Sequence, residues 1–207
     1  NTPKILFSKI KICIKIKKVV DIYAKSGIIT KDRFITLEKD SRKAMVNNMI
    51  KVGIIGATGY AGGELVRILM NHKEAKIVWY GSRSYIDKKY YQVYQNMFQI
   101  VEDICKDDNL EELAEQVDVI FTATPQGFLA GLLTEEILSK VKIVDLSADY
   151  RIKDVAVYEK WYGIEHKSPQ FIEEAVYGLC EINREDVKSA RLVANPGCYT
   201  TCSILTC

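Results

Sequence analysis

Histidine is nearly absent from this chain: His72 and His166 are the only two. The six cysteines, Cys13, Cys105, Cys180, Cys198, Cys202 and Cys207, form no C-x-x-C pair. Without closely spaced Cys and His ligands a structural zinc site is not expected, and no metal is assigned. The sequence has no internal repeat and no low-complexity stretch. It also has no apolar run of membrane-spanning length, since lysines break the apolar series of residues 4–20 at Lys9, Lys11, Lys15 and Lys17. The alternation of Ile10, Ile12, Ile14 and Ile16 with those lysines has strand periodicity, and its longest uncharged stretch is too short for a secretory signal core. Reduced cysteines, a cytoplasmic location and no membrane partner are the expectation.

Charge is distributed unevenly. Residues 1–48 carry 12 Lys or Arg against four Asp or Glu, a net of +8, which leaves −6 for residue 49 onward. That asymmetry marks a boundary near Met49. Residues 1–48 read as a basic extension of unknown role. Nucleic-acid binding is not expected, because the aromatic cluster Tyr80, Tyr85, Tyr90, Tyr91, Tyr94 and Phe98 reads as packing against a sheet edge.

From residue 49 the pattern is alternating strand and helix, the order of a parallel sheet covered by helices. Ile50 to Ile55 is a short apolar run, and Gly56, Gly59 and Gly62 follow it ahead of a helical series through Leu65, Val66, Ile68 and Leu69. Strand, glycine loop and helix in this order form a variant of the dinucleotide fingerprint: the glycines permit a tight turn, close approach to a pyrophosphate, and close helix-to-strand packing. Gly56, Thr58, Gly59, Tyr60, Ala61 and Gly62 are the candidate cofactor residues of this loop. The next strand, Lys76 to Tyr80, ends in Gly81-Ser82-Arg83-Ser84. An NAD site usually has an acidic residue near this point for the ribose 2′-hydroxyl, and none is present; Ser82, Arg83 and Ser84 suit a 2′-phosphate, so NADP is expected. Thr124 and Pro125 follow a strand through Thr122, where a crevice at strand C-termini would lie.

The richest signal is Asn195-Pro196-Gly197-Cys198-Tyr199. Val193 and Ala194 end a strand, Pro196 and Gly197 turn the chain, and Tyr199 to Thr206 reads as a helix. Cys198 would then sit at a helix N-terminus, where free N–H groups and the helix dipole favour thiolate, the nucleophile of acyl transfer. His72 reads as a solvated cap at the end of the first helix, and His166 is a minor candidate for a substrate contact.

The pieces VGIIGATGYAGGELVRIL (52–69), GSRSY (81–85), VDLSADYRIKD (144–154), YEKWYG (158–163), EHK (165–167), EAVYGL (174–179) and LVANPGCY (192–199) together resemble the N-acetyl-γ-glutamyl-phosphate reductases of arginine biosynthesis. The resemblance implies NADPH-dependent reduction of N-acetyl-γ-glutamyl phosphate to the semialdehyde, with release of phosphate. It implies Cys198 as nucleophile, Asn195 near the developing oxyanion, and Ser147 and Arg151 at the substrate phosphate. It further implies a Rossmann-like cofactor domain over 49–195, the start of a truncated α+β substrate domain over 196–207, and a homo-oligomer at full length. Thr200, Cys180 and Gln126 depart from the family pattern, which has proline, proline and often histidine there. The family continues well past the position of Cys207, so the 207 residues are expected to be a poor catalyst by themselves and to leave apolar surface bare. The alternatives are a relative acting on aspartyl phosphate, as aspartate semialdehyde dehydrogenases do, and a non-catalytic NADP-binding fragment.

Overall fold

The computed structural model describes residues 49–207, and the basic extension lies outside them. Seven strands among these residues form one sheet: β1 (Ile50–Ile55), β2 (Ala75–Gly81), β3 (Cys105–Lys106), β4 (Val119–Thr122), β5 (Lys142–Asp145), β6 (Val176–Tyr177) and β7 (Leu192–Ala194). Their order is β3-β2-β1-β4-β5-β7-β6, with every neighbouring pair parallel. This is the expected Rossmann-like sheet. A parallel sheet is covered on both faces, which is why its strands read as continuous apolar runs.

The connecting helices are α1 (Tyr60–Leu69), α2 (Tyr90–Val93), α3 (Leu110–Ala114), α4 (Glu135–Lys140), α5 (Val155–Tyr162), α6 (Arg184–Ser189) and α7 (Cys198–Thr206). Strand alternation sends Val52, Ile54, Val119, Phe121, Val144 and Val193 to one face, against Leu65, Val66 and Leu69 of α1. Ile55, Ile120, Ile143 and Leu192 go to the other face with Leu113, Ile137 and Leu138. Each such side chain, fully buried, contributes about 1.5–3 kcal/mol. Leu113 comes so close to the strand that a Cβ on Gly53 would lie 2.5 Å from its Cδ1, so the glycine sets the depth of α3.

Five of the helix starts fall into two kinds. Asn109, Thr134 and Asp154 cap α3, α4 and α5 by accepting the N–H groups of Glu112, Ile137 and Val157. By contrast α1 and α7 begin at Gly59 and Gly197, which have no side chain to cap with. Neither start has a side-chain cap.

The aromatic segment corrects the sequence expectation. Rather than resting on the sheet edge alone, it supports the glycine loop: Tyr90 is fully buried and donates to the Ala57 carbonyl at 3.0 Å, and Tyr94 donates to the Thr58 and Gly59 carbonyls at 3.1 and 3.0 Å. Burial pushes the Tyr90 phenol up, so it stays protonated and able to donate. His72 is also corrected. It is buried, 8% exposed, and its Nδ1 accepts the Glu74 N–H at 3.1 Å in the turn after α1.

Candidate functional site at the C-terminal edge of the sheet

Register places Ile55, Thr122, Asp145 and Ala194 in one row across β1, β4, β5 and β7. The residues that follow them, Gly56, Ala123, Leu146 and Asn195, therefore open four loops along one edge. Ligands of open parallel sheets bind at this edge, near the point where strand order reverses. Here that point lies between β1 and β4.

At one end of the edge is the glycine loop. Gly56 has φ of +73°, open to glycine at little cost. A Cβ on Gly62 would lie 2.0 Å from the Gly56 carbonyl oxygen, so only glycine lets α1 start this close to β1. Tyr60 and Gly59 are exposed and Ala61 is half-buried. The Thr58 and Ser82 hydroxyls meet at 2.7 Å, joining the loop to the turn after β2. Arg83 and Ser84 are exposed, and the Arg83 guanidinium lies 5.3 Å from the centre of the Phe128 ring on the loop after β4. Thr124 is half-buried and Pro125 exposed on that same loop.

At the other end is the cysteine corner. Gly197 is extended (φ −67°, ψ 161°), and Cys198 is the first residue of α7, half-buried. Among the described residues no acceptor meets the N–H groups of Cys198, Tyr199 and Thr200. Arg151 braces the corner, its Nε donating to the Asn195 carbonyl at 2.8 Å and its Nη2 to the Leu146 carbonyl at 2.6 Å. Its Nη1 has no acceptor among the described residues, and it would stand 3.3 Å from a Cβ on Gly197. The guanidinium thus reaches the base of α7 with one nitrogen to spare.

Ser147, expected at the substrate phosphate, lies beneath the edge. It is buried, its hydroxyl donates to Asp145 Oδ2 at 2.5 Å, and Ser147 Oγ accepts the Asp149 N–H at 3.1 Å. The hydroxyl is committed to shaping the loop after β5. His166 is likewise occupied: Nδ1 accepts the Ser168 N–H at 3.3 Å, which leaves Nε2 to donate to the Asp149 carbonyl at 2.7 Å.

Three carboxyl groups at this edge escaped the sequence reading. Asp145 is fully buried between the Thr122 and Ser147 hydroxyls, and burial pushes it up to about 6, with the nearby Asp149 charge adding to the rise and the two hydroxyls opposing it. Asp149, also fully buried, accepts the Gly127 N–H at 2.8 and 2.9 Å and the Ala130 N–H at 3.3 Å, as well as the Tyr158 hydroxyl at 2.8 Å. It thereby fixes the loop that carries Thr124 and Pro125. Asp108, after β3, accepts the Gly56 N–H at 3.2 Å. Only the alternation of Asp145, Ser147 and Asp149 along the chain hinted at any of this.

The edge suits a polar, anionic guest. The glycine loop leaves backbone room that a Cβ would fill, α1 starts without a side-chain cap and with no acidic residue in its first turn, and the buried Thr124 hydroxyl has no hydrogen-bond partner. No cluster of His, Cys, Asp or Glu among the described residues could hold a metal ion, and no helix among them is long and apolar enough to cross a membrane.

Residues 51–190 match the family model described as semialdehyde dehydrogenase, NAD binding domain. Over 158 residues the chain is 77% identical to the N-acetyl-gamma-glutamyl-phosphate reductase of Lachnoclostridium phytofermentans, a match covering 76% of this chain and 46% of that protein. It is 70% identical over 159 residues to the protein of the same name from Lachnospira eligens, with the same coverage. The chain spans about half the length of these curated relatives. Among solved structures, aspartate semialdehyde dehydrogenase II from Vibrio cholerae, complexed with ASA, superposes with a TM-score of 0.52 at 18% identity, covering 76% of this chain and 44% of that one; it supports the fold.

Proposed function

The chain belongs to the semialdehyde dehydrogenase NAD-binding domain family, and from this we propose that it carries the cofactor site and nucleophile of an NADPH-dependent N-acetyl-γ-glutamyl-phosphate reductase of arginine biosynthesis. The observation that carries the proposal is the position of Cys198: first residue of an uncapped helix, on the same sheet edge as the glycine loop. In this reading residues 49–195 form the cofactor domain and residue 196 begins the substrate-handling part. The cysteine chemistry requires a reducing compartment, which suits the cytoplasm.

Gly56 to Gly62 and the start of α1 would hold the pyrophosphate, and Ser82, Arg83 and Ser84 the 2′-phosphate that selects NADP. Thr124, whose buried Oγ1 has no hydrogen-bond partner, and Pro125 would line the remainder of the crevice. When bound, NADPH supplies a hydride.

The Cys198 sulfur, as thiolate, attacks the acyl carbon of the acyl phosphate. The carbonyl π pair moves onto oxygen, where the free N–H groups at the start of α7 and the Asn195 amide can donate to it. Collapse of this oxyanion breaks the bond to the phosphate oxygen, releases inorganic phosphate and leaves a thioester on Cys198. Arg151, with Nη1 free, is placed to draw the departing phosphate, and it keeps the corner in shape through its other two nitrogens. Ser147 acts indirectly, by fixing the loop from which Arg151 extends. Reduction of the thioester then returns the sulfur as thiolate and yields the semialdehyde.

The test is a mass measurement after mixing the chain with N-acetyl-γ-glutamyl phosphate in the absence of reductant cofactor. A single acyl adduct on Cys198, missing in Cys198→Ala while both proteins bind NADPH, is the expected result. NADPH binding with no adduct in the parent protein would reduce the proposal to a cofactor-binding domain.

A further inference from the structure

The turn Gly81-Ser82-Arg83-Ser84 contains no acidic residue, yet the fold delivers one to it from 26 positions beyond Ser82. Asp108 arrives from the segment after β3, with its side chain only 5% exposed. Its Oδ1 accepts the Gly56 N–H at 3.2 Å, and its Oδ2 lies 3.7 Å from Nε of Arg83, whose side chain is 63% exposed. Gly81 makes room for it, since a Cβ there would stand 2.5 Å from Asp108 Oδ1.

This is an unusual place for a carboxyl group. The glycine loop and the start of α1 favour negative guests, and Asp108 takes up one of the loop's own N–H donors. Ionised, it repels a phosphate brought to the same turn and attracts the guanidinium that a 2′-phosphate needs. A ribose hydroxyl meets no such opposition, since a carboxylate accepts from it.

We propose that Asp108 is a specificity-determining residue of the cofactor site: it holds Arg83 in the free protein and competes with the 2′-phosphate for it, so that it limits the preference for NADPH over NADH. The inference rests on the NADP reading above. Asp108 opposes the phosphate and Arg83 favours it, and the balance of the two sets the ratio of the two affinities.

Asp108→Asn isolates the charge, because the amide oxygen can still accept the Gly56 N–H. Fluorescence titration of the 207-residue chain with NADPH and with NADH supplies the readout, alongside Arg83→Gln and the double variant. Asp108→Asn is expected to tighten NADPH about fivefold at low salt without tightening NADH, with the gain shrinking as salt screens the charge. Arg83→Gln is expected to weaken NADPH about tenfold and leave NADH unchanged, and the benefit of Asp108→Asn should shrink in its background to the part owed to direct repulsion of the phosphate. Should the Asn variant not fold, Asp108→Ser removes the same charge. NADPH binding that depends on Arg83 but ignores Asp108→Asn, or an equal loss of both cofactors in that variant, overturns the inference alone. Equal affinity for both cofactors with Arg83→Gln silent overturns the NADP reading and the inference together.

Discussion

The two ends of the crevice are built by different means. The glycine end is made of backbone: Gly56 and Gly62 allow the chain to fold tightly on itself, and tyrosine hydroxyls hold three consecutive loop carbonyls from Ala57 to Gly59. The cysteine end is made of side chains, the buried Asp145, Ser147 and Asp149 and the half-buried Arg151 joining the loops after β4, β5 and β7. Backbone geometry tolerates no added atom, whereas a side-chain network tolerates change of shape but not loss of a charge or an acceptor. The two ends should therefore fail differently.

The largest effect is expected at Asp149. Asp149→Ala strands the Gly127 and Ala130 N–H groups and the Tyr158 hydroxyl in a buried setting, a loss of about 4 kcal/mol in urea denaturation. A loss under 1 kcal/mol would show that the network is ornamental to folding and would erase the contrast.

Asp145 should reveal itself through pH. Its carboxyl ordinarily titrates at 3.8 and is raised in the folded protein to about 6. Between those values the folded protein keeps a proton that the unfolded chain has released, so the contribution of Asp145 to stability declines as pH rises from about 4 to about 6 and is level above. Two pKa units correspond to roughly 3 kcal/mol. Unfolding free energies measured from pH 4 to 7.5 should show Asp145→Asn lacking this decline. Parallel profiles for parent and variant would contradict the burial argument.

At the glycine end the sharp comparison is Gly62→Ala against Gly59→Ala. The first places a Cβ 2.0 Å from a backbone oxygen, and the second meets ordinary contact at 3.4 Å. Gly62→Ala should cost about 3 kcal/mol in thermal or urea unfolding and at least about tenfold in NADPH affinity. Gly59→Ala should cost less than about 1 kcal/mol. Equal behaviour of the two would mean that the loop is looser than its geometry.

A smaller effect than that of Gly62→Ala is expected for Tyr90→Phe, which removes one buried hydrogen bond to Ala57 and leaves the ring in place: about 1 kcal/mol in unfolding, with a smaller change in NADPH affinity. No change in either measurement would show that the ring, and not the hydroxyl, supports the loop.

What could be read in advance follows the same division. The strand over Ile50–Ile55, the glycine loop, the helix through Leu69 and the placement of Cys198 at a helix start all depend on residues within a few positions of one another. Ser147, Arg151 and the tyrosines were visible as residues, but their partners were not. Asp149 is 22 positions from Gly127, Arg151 is 44 from Asn195, and Tyr90 is 33 from Ala57. His72 was misplaced for a related reason, since the end of a helix does not disclose what packs over it.

The sequence by itself determined the alternation of strand and helix, the glycine-bound dinucleotide loop and the candidate nucleophile, because propensity, turn chemistry and helix-end electrostatics act locally. Tertiary structure decided which hydroxyls and carboxyls became internal supports, and which, as with Asp108 beside Gly56 and Arg83, reached the cofactor edge. Parallel strand order brings residues from distant loops to one edge, and the energy of a buried polar group depends on the partners found there rather than on its neighbours in the chain.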